Sequence, residues 1–144
     1  GSVFRQTMFA EFEDFAHKTY EKGEAISKDV LNDFYLNLNK TYFGQNVEVI
    51  DEIKYEWSRI PHFYRAFYVY KYATGITTAV TIANNILTYG EEYFNKYRKF
   101  LSAGGSLAPL DIIRLADVDL ETSAPFEKAM EEFDKTLKEL EELV

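Results

Sequence analysis

The chain has 144 residues, 47% of them hydrophobic, which supports one compact core and is short of two comfortable domains. Its 16 Lys and Arg against 24 Asp and Glu leave a formal charge of −8, which argues against nucleic acid and anionic membranes as partners. Cys is absent, so thiol nucleophiles, disulfides and thiolate metal sites are excluded and a reducing, cytoplasmic setting is expected. No apolar run approaches the roughly 18 residues of a membrane span. With His17 and His62 as the only histidines, no paired-His zinc motif can be written, so no metal ligand is assigned.

Gly1 and Ser2 read as a cloning remnant ahead of an abruptly starting helical pattern, which leaves residues 3–144 as one helical piece of a larger protein. From Val3 to Lys22, Phe4, Met8, Phe12, Phe15 and Tyr20, with Phe9 and Ala16 beside them, recur near a 3.6-residue period and predict an amphipathic helix ended by Gly23. Ser27 is a good N-cap for a second helix, Lys28 to about Phe43, stopped by Gly44. Residues 45–52 alternate only weakly at Val47, Val49 and Ile50, and predict a loop leading into a short helix that ends near Arg59.

Pro61 predicts the start of a new helix running from about His62 through Leu87. Gly75 inside it implies close approach of another backbone or a local bend, and the charge-poor stretch Ile76–Leu87 predicts a central, enclosed helix. After Gly90, Tyr93, Phe94, Tyr97, Phe100 and Leu101 mark a helix over 91–101, closed by the turn 103–106. Pro109 opens a short helix over 110–116, and Pro125 opens the last, with the stripe Phe126, Met130, Phe133, Leu137, Leu140 and Val144. The total is seven helical segments and no clear strand, hence an all-α, single-domain fold of six or seven helices. Residues 121–144 hold eight acids and three lysines, a solvated face between apolar positions. Gly104-Gly105 lacks a following Lys-Ser/Thr and reads as a helix stop, not a phosphate loop.

Chemistry concentrates in Trp57–Tyr72, where six of the eleven residues after Pro61 are Phe or Tyr. On a continuous helix Phe63, Phe67 and Tyr70 share one stripe and Tyr64, Tyr68 and Tyr72 another, so one face can meet a core and the other a cavity. Plain aromatic packing explains the same spacing. His62, in the first turn, would sit among free N–H groups at the positive dipole end, where an oxyanion can be stabilised; a structural His is the alternative. His17, four residues from both Glu13 and Glu21, is explained by surface ion pairing.

Five stretches resemble, in order, signatures of the oligoendopeptidase F family of zinc metallopeptidases. They are residues 3–13, Leu38-Asn-Lys-Thr-Tyr-Phe-Gly44, Glu56-Trp-Ser-Arg-Ile-Pro-His-Phe-Tyr64, Phe67-Tyr-Val-Tyr-Lys-Tyr-Ala-Thr-Gly75 and Phe100-Leu-Ser-Ala-Gly-Gly-Ser106. The resemblance implies an all-helical fold around a deep channel, with a catalytic zinc held by an HExxH helix and a further Glu upstream of this chain. This piece would then be C-terminal, supply no zinc ligand and be inactive alone. In the related thimet oligopeptidases a His and tyrosines from this region bind the scissile carbonyl and stabilise the tetrahedral intermediate. By that resemblance His62 matches the His and Tyr70 the tyrosine donor, with Tyr64 and Tyr68 as further substrate-binding groups. Phe67 departs from the pattern by occupying one tyrosine position. Short peptides are the implied substrates of the parent enzyme, and apolar faces left exposed imply a homo-oligomer. The competing reading is a free-standing helical binding or scaffold module without catalysis.

Overall fold

The computed structural model describes residues 1–143; among them are five α-helices and two 3-10 helices and no strand. The all-α fold class is therefore as the sequence indicates, and Val144, the end of the last apolar stripe, lies outside the described residues. The chain divides into two compact units, one ending at Ala73 and the other beginning at Thr74.

In the first unit, α1 (Phe4–Glu21) buries Met8, Phe9 and Phe12, the positions its apolar period selects. α2 (Lys28–Phe43) starts where the Ser27 hydroxyl accepts the Val30 N–H at 3.2 Å, and it buries Tyr35 and Leu38. After a loop that ends at Ile50, the short helix expected to end near Arg59 is present as a 3-10 helix over Asp51–Arg59, and it carries Glu56 and Trp57 inward. The core is Met8, Phe9, Phe12, Tyr35, Leu38, Ile60 and Val69, and burying each large side chain contributes about 1.5–3 kcal/mol. Phe12 is its aromatic centre, 5.2 Å from Tyr35, 5.1 Å from Phe63 and 5.9 Å from Trp57 between ring centroids.

The Trp57 and Glu56 polar groups are paired in this core, whereas the buried Asn39 Oδ1 and Gln6 Oε1 have no partner. The Trp57 indole N–H donates to Asn32 at 2.9 Å. Glu56, 8% exposed, accepts from Arg5 at 2.7 Å, Arg59 at 2.6 Å and the Tyr35 hydroxyl at 2.7 Å. Burial works to raise the Glu56 pKa, but the hydrogen bonds from Tyr35 and Arg5 and the charges of Arg5 and Arg59 outweigh it and hold the carboxyl below its ordinary range. The Tyr35 hydroxyl is pushed up, first by burial and then by its bond to Glu56.

The helix expected from His62 to Leu87 does not start there. Pro61–Tyr64 is a single 3-10 turn, and α3 (Tyr70–Ala103) begins only at Tyr70. The cause is tertiary. The Phe67 N–H, which a continuous helix would direct at residue 63, instead donates 2.6 Å to Glu13 Oε1 on α1, and Phe67 sits at φ +54°. The two aromatic stripes drawn for a continuous helix therefore do not exist as such.

In the second unit, α3 buries Thr77, Thr78, Thr81, Ile82 and Asn85 on one side, while Ile76 and Leu87 on the other are exposed. The segment expected to be enclosed is thus buried along one face only. The Thr78 and Thr81 hydroxyls bond the carbonyls four residues back, at 2.8 and 2.9 Å, which lets a polar face be buried without orphaned groups. Gly75 has open space where a Cβ would stand, so the close approach expected there is absent. The break in α3 is at Gly90, φ +61° and ψ −138°, a conformation that favours glycine. Tyr93, Ile82, Ala116 and Val118 form the core of this unit, with the Tyr93 hydroxyl donating to the Ala116 carbonyl. α4 (Pro109–Arg114) ends earlier than expected, and α5 (Ala124–Glu141) opens with Pro125 in its first turn and buries Pro125 and Ala129.

Candidate active site

His62 lies in the one-turn 3-10 helix, its carbonyl accepting the Arg65 N–H at 3.0 Å. The positive helix end anticipated around its imidazole is not there, because one such turn builds no appreciable dipole. What surrounds the imidazole is aromatic. The Tyr68 ring stacks on it at 5.6 Å and 28°, and the Tyr72 ring meets it edge-on at 6.0 Å. Tyr68 and Tyr72 contact each other at 5.6 Å, and the Tyr72 hydroxyl donates to the Tyr68 oxygen at 3.1 Å.

This hydrogen bond polarises the pair. It is the largest influence holding the Tyr68 hydroxyl below the ordinary phenol range, and the nearby Lys71 and Arg65 charges act in the same direction. Lys71 Nζ lies 3.8 Å from the centre of the Tyr68 ring. Tyr72 moves oppositely, raised first by the proton it shares with Tyr68. Since the Tyr68 oxygen accepts from Tyr72, its own proton is left to donate, and it does so as a more acidic and hence stronger donor. The imidazole, half-buried beside it, takes no hydrogen bond from the described residues. The cluster therefore sets a phenol and an imidazole side by side.

Of the residues expected from the sequence, the structure brings His62 and Tyr68 together. Tyr64 is apart and exposed, its hydroxyl donating to the Ser58 carbonyl at 3.3 Å. Tyr70, half-exposed at the first position of α3, is about 200° around the helix from Tyr72 and faces another side. Tyr72 was not singled out as a site residue, although the i,i+4 step from Tyr68 was visible; nor was the role of Glu13, whose contact spans 54 residues. His17 stacks on Phe67 at 4.5 Å, and Glu13, its expected ion-pair partner, is buried and bonded to the Phe67 N–H. Surface ion pairing with Glu13 thus does not describe His17. Among the described residues no three His, Cys, Asp or Glu side chains converge to hold a metal ion. Among the described residues no helix is long and apolar enough to cross a membrane.

Residues 1–132 match the signature of Peptidase family M3. The chain is 45% identical over all 144 residues to Oligopeptidase PepF of Bacillus subtilis (strain 168), of which it covers 22%. It is 43% identical over its full length to the plasmid-borne Oligoendopeptidase F of Lactococcus lactis subsp. cremoris, covering 24% of that protein. The crystal structure of oligoendopeptidase-F from Enterococcus faecium superposes on 99% of the chain with a TM-score of 0.95 at 47% identity, and the chain covers 27% of it. The chain thus spans about a quarter of the length of these relatives. A signature match over most of the sequence, with identities above 40% from end to end, places the chain in Peptidase family M3.

Proposed function

We propose that this chain is the substrate-side part of a zinc-dependent oligopeptidase acting on short peptides in the cytoplasm, and that it supplies hydrogen-bond donors to the scissile carbonyl. The observation that carries the reading is the His62–Tyr68–Tyr72 cluster, which sets an acidified phenol against an imidazole. Peptide hydrolysis builds negative charge on the carbonyl oxygen, and fixed donors within about 3 Å of that oxygen stabilise it more than they stabilise the bound substrate. His62 and Tyr70 are the proposed catalytic donors, with Tyr68 and Tyr64 binding the substrate; the polarised hydroxyl makes Tyr68 a candidate for the oxyanion as well.

Zinc belongs, on this reading, to residues of the longer protein outside this chain, and the 144 residues alone hydrolyse no peptide. The test is substitution in a peptidase of the relatives' length. His62→Ala, and Tyr68→Phe or Tyr70→Phe, are expected to lower kcat by about 10²–10³ with zinc content unchanged. If no member of this set moves kcat/KM by about tenfold, the assignment fails. Metal-dependent peptidase activity from the purified 144 residues would overturn the proposal that they are inactive alone.

A further inference from the structure

Between His62 and Tyr68 the chain must reverse out of a 3-10 turn and into α3, and one contact fixes how it does so. Glu13, on α1, is 5% exposed, and its Oε1 accepts the Phe67 N–H at 2.6 Å. Phe67 adopts φ +54°, which L-residues other than Asn and Asp rarely take. Its ring lies stacked on His17, one turn along α1 from Glu13. The next residue is Tyr68, whose ring covers His62, and the one after is Val69, fully buried in the core. The segment is thus clamped on α1 at Phe67 and anchored in the core at Val69, with Tyr68 between the two fixed points.

A carboxylate is costly to bury unless it is hydrogen-bonded. Here it satisfies a backbone donor that the helix would otherwise have used, and keeps a bulky residue left-handed against its local preference. Without that acceptor the local alternative is regained: Phe67 relaxes toward φ below zero, and Tyr68 swings with it away from the imidazole.

We infer that Glu13 is a positioning residue for the candidate active site, its carboxylate holding the Phe67 N–H and thereby setting Tyr68 against His62. This rests on the reading of His62 and Tyr68 given above. Glu13 touches neither substrate nor reacting atoms in it, and acts through backbone geometry alone.

The test uses the full-length peptidase with Glu13→Asp, Glu13→Ala and Glu13→Gln. Asp keeps the charge but withdraws the acceptor by ~1.5 Å, one carbon–carbon bond. Gln keeps the acceptor and gives up the charge. Asp and Ala are expected to lower kcat by about tenfold or more, with KM changed less, because a displacement of about 1 Å costs chemistry before binding. They are also expected to speed hydrogen exchange in peptides covering residues 63–70. Gln is expected to restore kcat and protection together. Should Ala prevent folding, the Asp and Gln pair still decides the matter.

The inference is overturned if Asp leaves exchange in 63–70 unchanged, if exchange rises while kcat stays within twofold of wild type, or if Gln is as impaired as Asp. His62→Ala and Tyr68→Phe measured alongside separate the two levels. If these leave kcat/KM unaffected, the functional reading itself is wrong. If they lower it while Glu13→Asp does not, only the positioning role is wrong.

Discussion

At Tyr68 one hydroxyl is acted on by a donor, Tyr72, and by two cations, Lys71 and Arg65. Removing the donor with Tyr72→Phe is expected to return the Tyr68 titration toward higher pH, which NMR of ring-labelled tyrosine can follow. If Tyr68 titrates unchanged, the hydroxyl pair does not persist in solution. Glu56 poses the opposite problem, a carboxylate inside the core. Its folded pKa lies below the ordinary 4.5, so the stability it contributes is fully present above that value and fades as pH falls through the folded one. Glu56→Gln is therefore expected to cost about 1.5–3 kcal/mol at neutral pH, the range for hydrogen bonds to a charged group, and to flatten the loss of stability below about pH 4.5. Urea unfolding from pH 3 to 7 checks both, and an unchanged acid slope would deny Glu56 this part.

Among the elements, Gly90 interrupts α3 with a positive φ and open space where a side chain would go. Gly90→Ala is expected to destabilise by about 1–3 kcal/mol from backbone strain alone, with no steric clash to add to it. Thermal unfolding measures this, and a neutral or stabilising result would show the kink to be optional. α1, α2 and the all-helical class were legible because their signals are local: an apolar period, Ser27 as cap, Gly23 and Gly44 as stops. The start of α3 was not. Pro61 and an aromatic-rich run satisfy every local rule for a helix, and the residue that overrules them, Glu13, sits on another helix and looks like one more surface acid in its own pattern. The same blindness hid Tyr72, whose partnership with His62 depends on the chain turning between Tyr64 and Tyr70. Gly75 misled in the reverse direction: it was given a bend or a close contact and has neither.

For the molecule as a whole, large apolar side chains stand exposed in both units, among them Ile50 and Tyr55 in the first and Leu87, Tyr89 and Leu143 in the second. A chain that spans about a quarter of its relatives' length lacks the rest that would cover such faces, and contiguous exposed apolar surface favours association. The isolated 144 residues are therefore expected to self-associate, with a sedimentation coefficient that rises with concentration; a single monomer across the micromolar range would refute it. Glu56 carries a different consequence for the first unit. Arg5 reaches it across 51 residues and Tyr35 across 21, from two different helices. Arg59, in the same 3-10 helix as Glu56, meets the charge locally, but satisfying both carboxylate oxygens takes Arg5 from α1 and Tyr35 from α2, and docking only one leaves the buried carboxylate short of a partner. Partially assembled forms are penalised on the way in and on the way out. The three segments are thereby wired to appear and vanish together, like a knot that holds only when every strand is drawn.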